Sequence, residues 1–225
     1  MSFEIPRADK PEDVGLSSER LQRITDVLSR DIEAGIVPGA VALIARRGRI
    51  ALHQALGLRD REAQAPMQLD TAFRIASMTK PLTSVAAMML AEEGRLLIAD
   101  PVARYLPEFS DLKVAVDSDN AAKLTTEPCR RPMTVHDLLR HTSGLTYAHH
   151  AGPALKQAYL EAGVGDLKHS NAEFVAKLGK IPLAYQPGST WQYGFSTDVL
   201  GRVVEVGDGI ARVVGLSSAM AGEMV

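Results

Sequence analysis

The chain has 225 residues, of which 46% are hydrophobic and 23% charged, with a formal net charge of −2. That length can bury a substantial core, and that balance excludes a disordered or fibrous chain. The near-neutral charge offers no basic footprint for nucleic acid, no run of about 18 apolar residues is present to span a membrane as a helix, and the single cysteine, Cys129, excludes an intrachain disulfide.

The N-terminal stretch Met1-Ser2-Phe3-Glu4-Ile5-Pro6-Arg7 lacks the charged start and apolar run of a secretory signal, so the expected location is the cytoplasm. Ser17-Ser18-Glu19 then precede Leu21, Ile24, Leu28 and Ile32, a capped amphipathic helix that should stop near Gly35 and Pro38. Two β-rich runs follow, Ala40 to Ala45 and Ile50 to Leu56. Between them Arg46-Arg47-Gly48-Arg49 reads as a hairpin tip rather than an interaction patch. The first run is apolar at successive positions, which predicts a strand covered on both faces.

From Asp70 the character changes. Phe73-Arg74-Ile75-Ala76 leads into Ser77-Met78-Thr79-Lys80-Pro81 and a helical stretch to about Glu93, closed by Gly94 and the segment Leu96 to Asp100. Thr134 and Asp137 have capping-box spacing for a short helix ending near Arg140. His141-Thr142-Ser143-Gly144-Leu145 turns the chain, and Tyr147 to Gly165 carries only weak structural signals. Asn171 to Leu178 is a predicted helix, Gln186-Pro187-Gly188-Ser189 a turn, and Thr197 to Glu205 a last helix. Strands followed by many helices predict an α+β fold, an antiparallel sheet with a helical domain.

Chemistry concentrates at Ser77. Serine is a poor nucleophile at neutral pH and needs a base within hydrogen-bond reach. In Ser77-x-x-Lys80 the two side chains share a helical face, so the lysine can fold back on the hydroxyl. A lysine acts as a base where burial or positive charge lowers its pKa, and a helix N-terminus favours negative charge developing beside it. The Ser77 N–H is accordingly a candidate oxyanion donor. Cys129 sits in an apparent loop with no histidine at a suggestive spacing, and His149-His150 has no carboxylate or thiolate close by, so no metal and no cofactor are implied. A Ser-His-Asp triad built from Ser143 and one of His53, His136, His141, His149, His150 or His169 is the disfavoured alternative, and the G-x-S-x-G elbow of α/β-hydrolases is absent.

The segment Phe73 to Pro81 resembles the first motif of class C β-lactamases and family VIII carboxylesterases. His141-Thr142-Ser143-Gly144-Leu145 is similar to a recurrent turn of that group. Gln186-Pro187-Gly188 through Tyr193-Gly194-Phe195-Ser196-Thr197-Asp198 is similar to the segment carrying its second catalytic motif. The resemblance implies a β-lactamase/transpeptidase-like fold, with an antiparallel sheet flanked by helices, and a serine hydrolase working through an acyl-enzyme. It implies Ser77 as nucleophile and Lys80 and Tyr193 as proton-transfer partners, the ammonium favouring a phenolate. Ser196 would stand where the family has the Asn or Ser of a Tyr-x-Asn or Tyr-x-Ser motif, as a substrate-binding group. The Tyr-x-x-Ser spacing resembles esterase-type members and tilts the expectation towards esters.

The likeness runs from about residue 15 to 206 of what is expected to be one domain over 1–225, with 207–225 a divergent tail. No Lys-Thr-Gly or equivalent third motif and no strand-like run follow Tyr193, so the C-terminal strands are expected to be missing and the chain to be truncated. Three readings stay open: a hydrolase of short-chain carboxylic esters that also takes β-lactams, a penicillin-binding or D-amino-peptidase-type hydrolase, and a truncated product with little turnover. In each the expected partner is a small molecule, without nucleic acid or membrane.

Overall fold

The computed structural model describes residues 5–116, 124–166 and 168–208. The tail expected to diverge beyond 207 therefore lies almost wholly outside the described residues. These divide into two compact units, one ending at Phe73 and one beginning at Arg74.

In the first unit, helix α1 spans Ser18–Glu33, with the Ser17 hydroxyl accepting from the Arg20 N–H as its N-cap. Strands β1, Gly39–Arg46, and β2, Arg49–Asp60, form an antiparallel hairpin, and β3, Ala65–Pro66, adds a short third strand in the order β1-β2-β3. Arg47 and Gly48 turn the hairpin with φ of 53° and 71°, the paired left-handed residues that a two-residue β-turn of matching twist requires. Helix α1 meets β2 through a 2.6 Å hydrogen bond from Thr25 Oγ1 to Gln54 Oε1. The expectation that β1 is covered on both faces is not met. No β1 residue is fully buried and Leu43 is 51% exposed. Two-sided cover takes a layer on each face, and among the described residues of this unit α1 is the one long helix.

The second unit is mainly helical: α2 Thr79–Glu92, α3 Val135–Leu139, α4 Pro153–Ala162, α5 Asn171–Leu178 and α6 Ser196–Asp208. Two three-residue antiparallel strands, β4 Lys113–Ala115 and β5 Thr126–Pro128, sit among them. Leu183 extends this pair: its N–H donates to the Lys113 carbonyl, and its carbonyl accepts from the Ala115 N–H, both at 2.8 Å. Helix α6 packs against α2, α3 and α5. Its Val199, Leu200, Val203 and Val204 are at most 4% exposed and fall on one helical face. Each such buried side chain contributes about 1.5–3 kcal/mol relative to exposure. This burial fixes the N-terminal end of α6, which begins three residues after Tyr193.

Helix α4 falls inside the segment whose sequence signals were weak. It starts on Pro153 and ends at Gly163, whose φ of 61° is the left-handed helix stop. Among the described residues no helix is long and apolar enough to cross a membrane.

Candidate active site

Ser77 occupies a 3-10 turn, Ala76–Met78, that runs directly into α2. Lys80 lies in the first turn of α2 and is 9% exposed. Its Nζ donates to Ser77 Oγ at 3.1 Å. On the opposite side of the sequence, Tyr193 Oη lies 2.6 Å from the same Oγ, across 116 positions. Lys80 Nζ also sits 4.9 Å from the centroid of the Tyr193 ring, so serine, lysine and tyrosine form one closed cluster. The hydroxyl thus has two polar partners able to take up or return a proton, at distances suited to general acid–base chemistry.

The placement of Tyr193 depends on two loops laid side by side. Residues 141–146 carry the His141 turn, and 184–195 approach it along its length. Ala184 N donates to Gly144 O at 2.8 Å, Gly188 N to Thr142 O at 2.7 Å and Gln192 N to His141 O at 2.8 Å. Gly144 has φ of 85°, and a Cβ there would run into the Tyr185 carbonyl oxygen. At Gly194 a Cβ would meet Thr146 Cα at 2.5 Å. Glycine is what lets the two backbones touch at both places.

Helix α3 holds the turn from the other end. Thr134 and Asp137 form the expected capping box. A partner that the sequence did not reveal completes it: Arg131 donates from Nη1 to Asp137 Oδ2 at 2.6 Å and from Nη2 to Oδ1 at 2.8 Å. Thr142 Oγ1 adds a bond to Oδ1 at 3.1 Å. The Asp137 side chain is 5% exposed. Burial alone would raise its pKa, but the bonds from Arg131 and Thr134 outweigh that and hold it below the usual carboxylate value.

His141 stands against the cluster. Its ring centroid is 5.0 Å from that of Tyr193 and 6.2 Å from that of Trp191. Burial, and then the charge of Lys80, lower its pKa from the ordinary histidine value. Its Nδ1 is buried without a hydrogen-bond partner among the described residues. Tyr147 adds a further ring, 5.6 Å from that of Tyr193. The aromatic spacing of Trp191-Gln192-Tyr193, and a Tyr two residues after the His-Thr-Ser-Gly-Leu turn, were the available signals for this wall of rings.

Of the residues singled out from sequence, Ser77, Lys80 and Tyr193 come together and Ser196 does not join them. Ser196 has no exposed surface, and its Oγ lies 2.8 Å from Ser143 Oγ, which accepts from the Leu145 N–H at 3.1 Å. A hydroxyl enclosed in this way ties the start of α6 to the His141 turn rather than facing a substrate.

A Ser-x-x-Lys pair joined by a tyrosine, in a helical unit accompanied by an antiparallel sheet, is the arrangement of serine hydrolases with the β-lactamase/transpeptidase fold. The family model described as Beta-lactamase matches residues 24–215, and the chain belongs to that family. It is 40% identical over 185 residues to esterase EstB of Burkholderia gladioli, a match covering 81% of this chain and 44% of that protein. Among solved structures, EstCE1, a hydrolase with promiscuous acyltransferase activity, superposes with a TM-score of 0.71 at 33% identity, over 84% of this chain and 47% of its own. The simvastatin synthase LovD of Aspergillus terreus follows at 0.70 and 29% identity, over 86% of this chain and 48% of its own. The chain spans about half the length of the curated relatives it matches. Its family thus includes esterase and acyltransferase relatives.

Proposed function

We propose that the chain carries a serine acyl-transfer site that hydrolyses short-chain carboxylic esters, with β-lactams as a second class of substrate. One observation carries the reading: Ser77 Oγ lies 2.6 Å from Tyr193 Oη and 3.1 Å from Lys80 Nζ. Ser77 attacks the ester carbonyl carbon while its proton passes to the Tyr193–Lys80 pair. The pair enters this step as a Tyr193 phenolate beside the Lys80 cation, so the phenolate oxygen accepts the Ser77 proton and becomes the phenol that later returns it. The C–O bond to the alcohol breaks, and the departing oxygen takes the proton back from the pair. Water, deprotonated by the same pair, then attacks the acyl-enzyme, releasing the carboxylic acid and returning a proton to Ser77. The Ser77 N–H, at the start of the turn leading into α2, serves as one oxyanion donor.

Interception of the acyl-enzyme by an alcohol instead of water is a second outcome of the same site. It is favoured by the likeness to a hydrolase with promiscuous acyltransferase activity and to LovD.

The test is covalent. A fluorophosphonate should label the purified chain on Ser77, and Ser77→Ala should abolish the adduct. Lys80→Ala and Tyr193→Phe should each slow labelling by ~100- to 10,000-fold, the range typical of general acid–base groups. Label found by mass spectrometry on Ser143 or Ser196, with Ser77 untouched, overturns the assignment.

A further inference from the structure

Trp191 is the single tryptophan of the chain, and it is 65% exposed although it lies two residues before Tyr193. Its ring centroid is 6.5 Å from that of Tyr193, in a tilted arrangement, and it meets His141 edge-on. Tyr147 makes an edge contact with the same Tyr193 ring and stacks on His149, with 5.4 Å between those centroids. Tyr193 is therefore set among rings, and its Oη touches the Ser77 hydroxyl. Trp191 is the exposed ring of this tryptophan–tyrosine set, and an aromatic ring open to solvent two residues from a tyrosine that touches a reactive serine is the surface expected of a ligand wall. Flat faces of this kind discriminate by stacking, since an aromatic ligand gains offset or edge-to-face contacts that a puckered one does not.

We propose that Trp191 forms a stacking wall for the leaving-alcohol side of the substrate, so that the preferred substrates are esters of benzyl-type alcohols. The inference rests on the reading of Ser77 and Tyr193 given above. Tyr193 returns the proton to the departing oxygen, so that oxygen must come within hydrogen-bond reach of Tyr193 Oη. Whatever the oxygen carries then lies against the rings that surround Tyr193. The acyl group, bonded to Ser77 after the first step, does not have to follow it there.

Benzyl butyrate and cyclohexylmethyl butyrate separate flatness from size, because their alcohols have the same carbon skeleton and both are primary. The benzyl ester should show the higher kcat/KM by roughly 3- to 10-fold, the range that stacking energies imply. That ratio should fall towards about one in Trp191→Leu and recover in Trp191→Phe. A ratio unchanged in Trp191→Leu overturns the proposal. So does a Trp191-dependent preference that appears between ethyl benzoate and ethyl cyclohexanecarboxylate instead, which would put the wall on the acyl side.

A second measurement is independent of turnover. Because Trp191 is the single tryptophan, its emission reports on this position alone. Titration with benzyl alcohol should change that emission saturably, and cyclohexylmethanol should not. An equal response to both, or none to either, overturns the wall. If the serine-hydrolase reading itself fails, neither ester is turned over in a Ser77-dependent way, and the emission titration still decides whether the wall binds rings.

Discussion

Ala76 and His141 are the non-glycine residues with positive φ among the described residues of the second unit, at 45° and 55°. One directly precedes Ser77, and the other lies against Tyr193. A left-handed conformation costs an ordinary L-residue about 1–2 kcal/mol and persists where the surroundings enforce it. At Ala76 it lets the chain enter the turn that starts α2, and at His141 it ends α3 and aims the imidazole at the Tyr193 ring. His141 then carries a pH dependence. Its pKa is lowered by burial and next by Lys80, so the folded state favours the neutral ring. A proton binds the unfolded chain more readily than the native one, and stability follows that difference. The contribution of His141 is fully present above the ordinary histidine value of about 6.5 and is lost as pH falls from there towards the lower native value. Thermal melts between pH 7.5 and 5.5, about one unit either side of that value, should show a falling midpoint for the native chain and a shallower fall for His141→Gln. Parallel slopes in the two proteins would remove His141 as the cause.

At the scale of elements, two loops meeting backbone to backbone set the geometry around Ser77. Gly194 is the tightest contact next to Tyr193, with Thr146 Cα at 2.5 Å from where a methyl would stand. Gly194→Ala should push residues 193–195 away from 145–146 and lengthen the Ser77–Tyr193 contact. A displacement on the order of 1 Å typically costs ~100-fold in rate. Turnover should therefore drop by about that factor while the circular dichroism spectrum stays native. Unchanged turnover would show that this contact does not set the position of Tyr193. The same elements show what a sequence can reveal. Helices α1, α3 and α5 have local caps and clear apolar spacing, and they lie where those signals put them. Helix α4 is rich in alanine and buries Ala154, Leu155 and Tyr159, a pattern too faint to stand out. Strands β4 and β5 have three residues each, too few to display a period of two, and their pairing is long-range. Ser77 and Lys80 were legible because three residues span nearly one helical turn. Ser196 was not, because its side-chain direction is decided by Ser143, 53 positions away.

On the scale of the whole molecule, α2 buries a face at odds with its composition. Thr79, Lys80, Thr83, Ala87 and Leu90 are at most 9% exposed, whereas Leu82, Val85 and Met89 on the helix and Met78 just before it are 56–72% exposed. These four are spaced by four, three and four, so they form one continuous apolar stripe. In the first unit, among the described residues, β1 pairs with β2 along one edge and its other edge carries no strand. An apolar stripe and an open strand edge each favour association with other chains. The chain should therefore self-associate as its concentration rises through roughly 1 to 100 μM, the range in which exposed apolar surface drives aggregation. Size-exclusion chromatography with light scattering measures this directly. The double variant Leu82→Lys, Met89→Glu breaks the stripe at exposed positions, away from the Ser77 cluster, and should shift the elution towards monomer. Because both side chains already face solvent, the cost in stability should stay within about 0.5 kcal/mol per site. A native chain that remains monomeric across that range would show that neither surface is adhesive. A variant that associates as the native chain does would transfer the cause from α2 to the edge of β1, where Leu43→Lys, at a position 51% exposed, is the corresponding substitution.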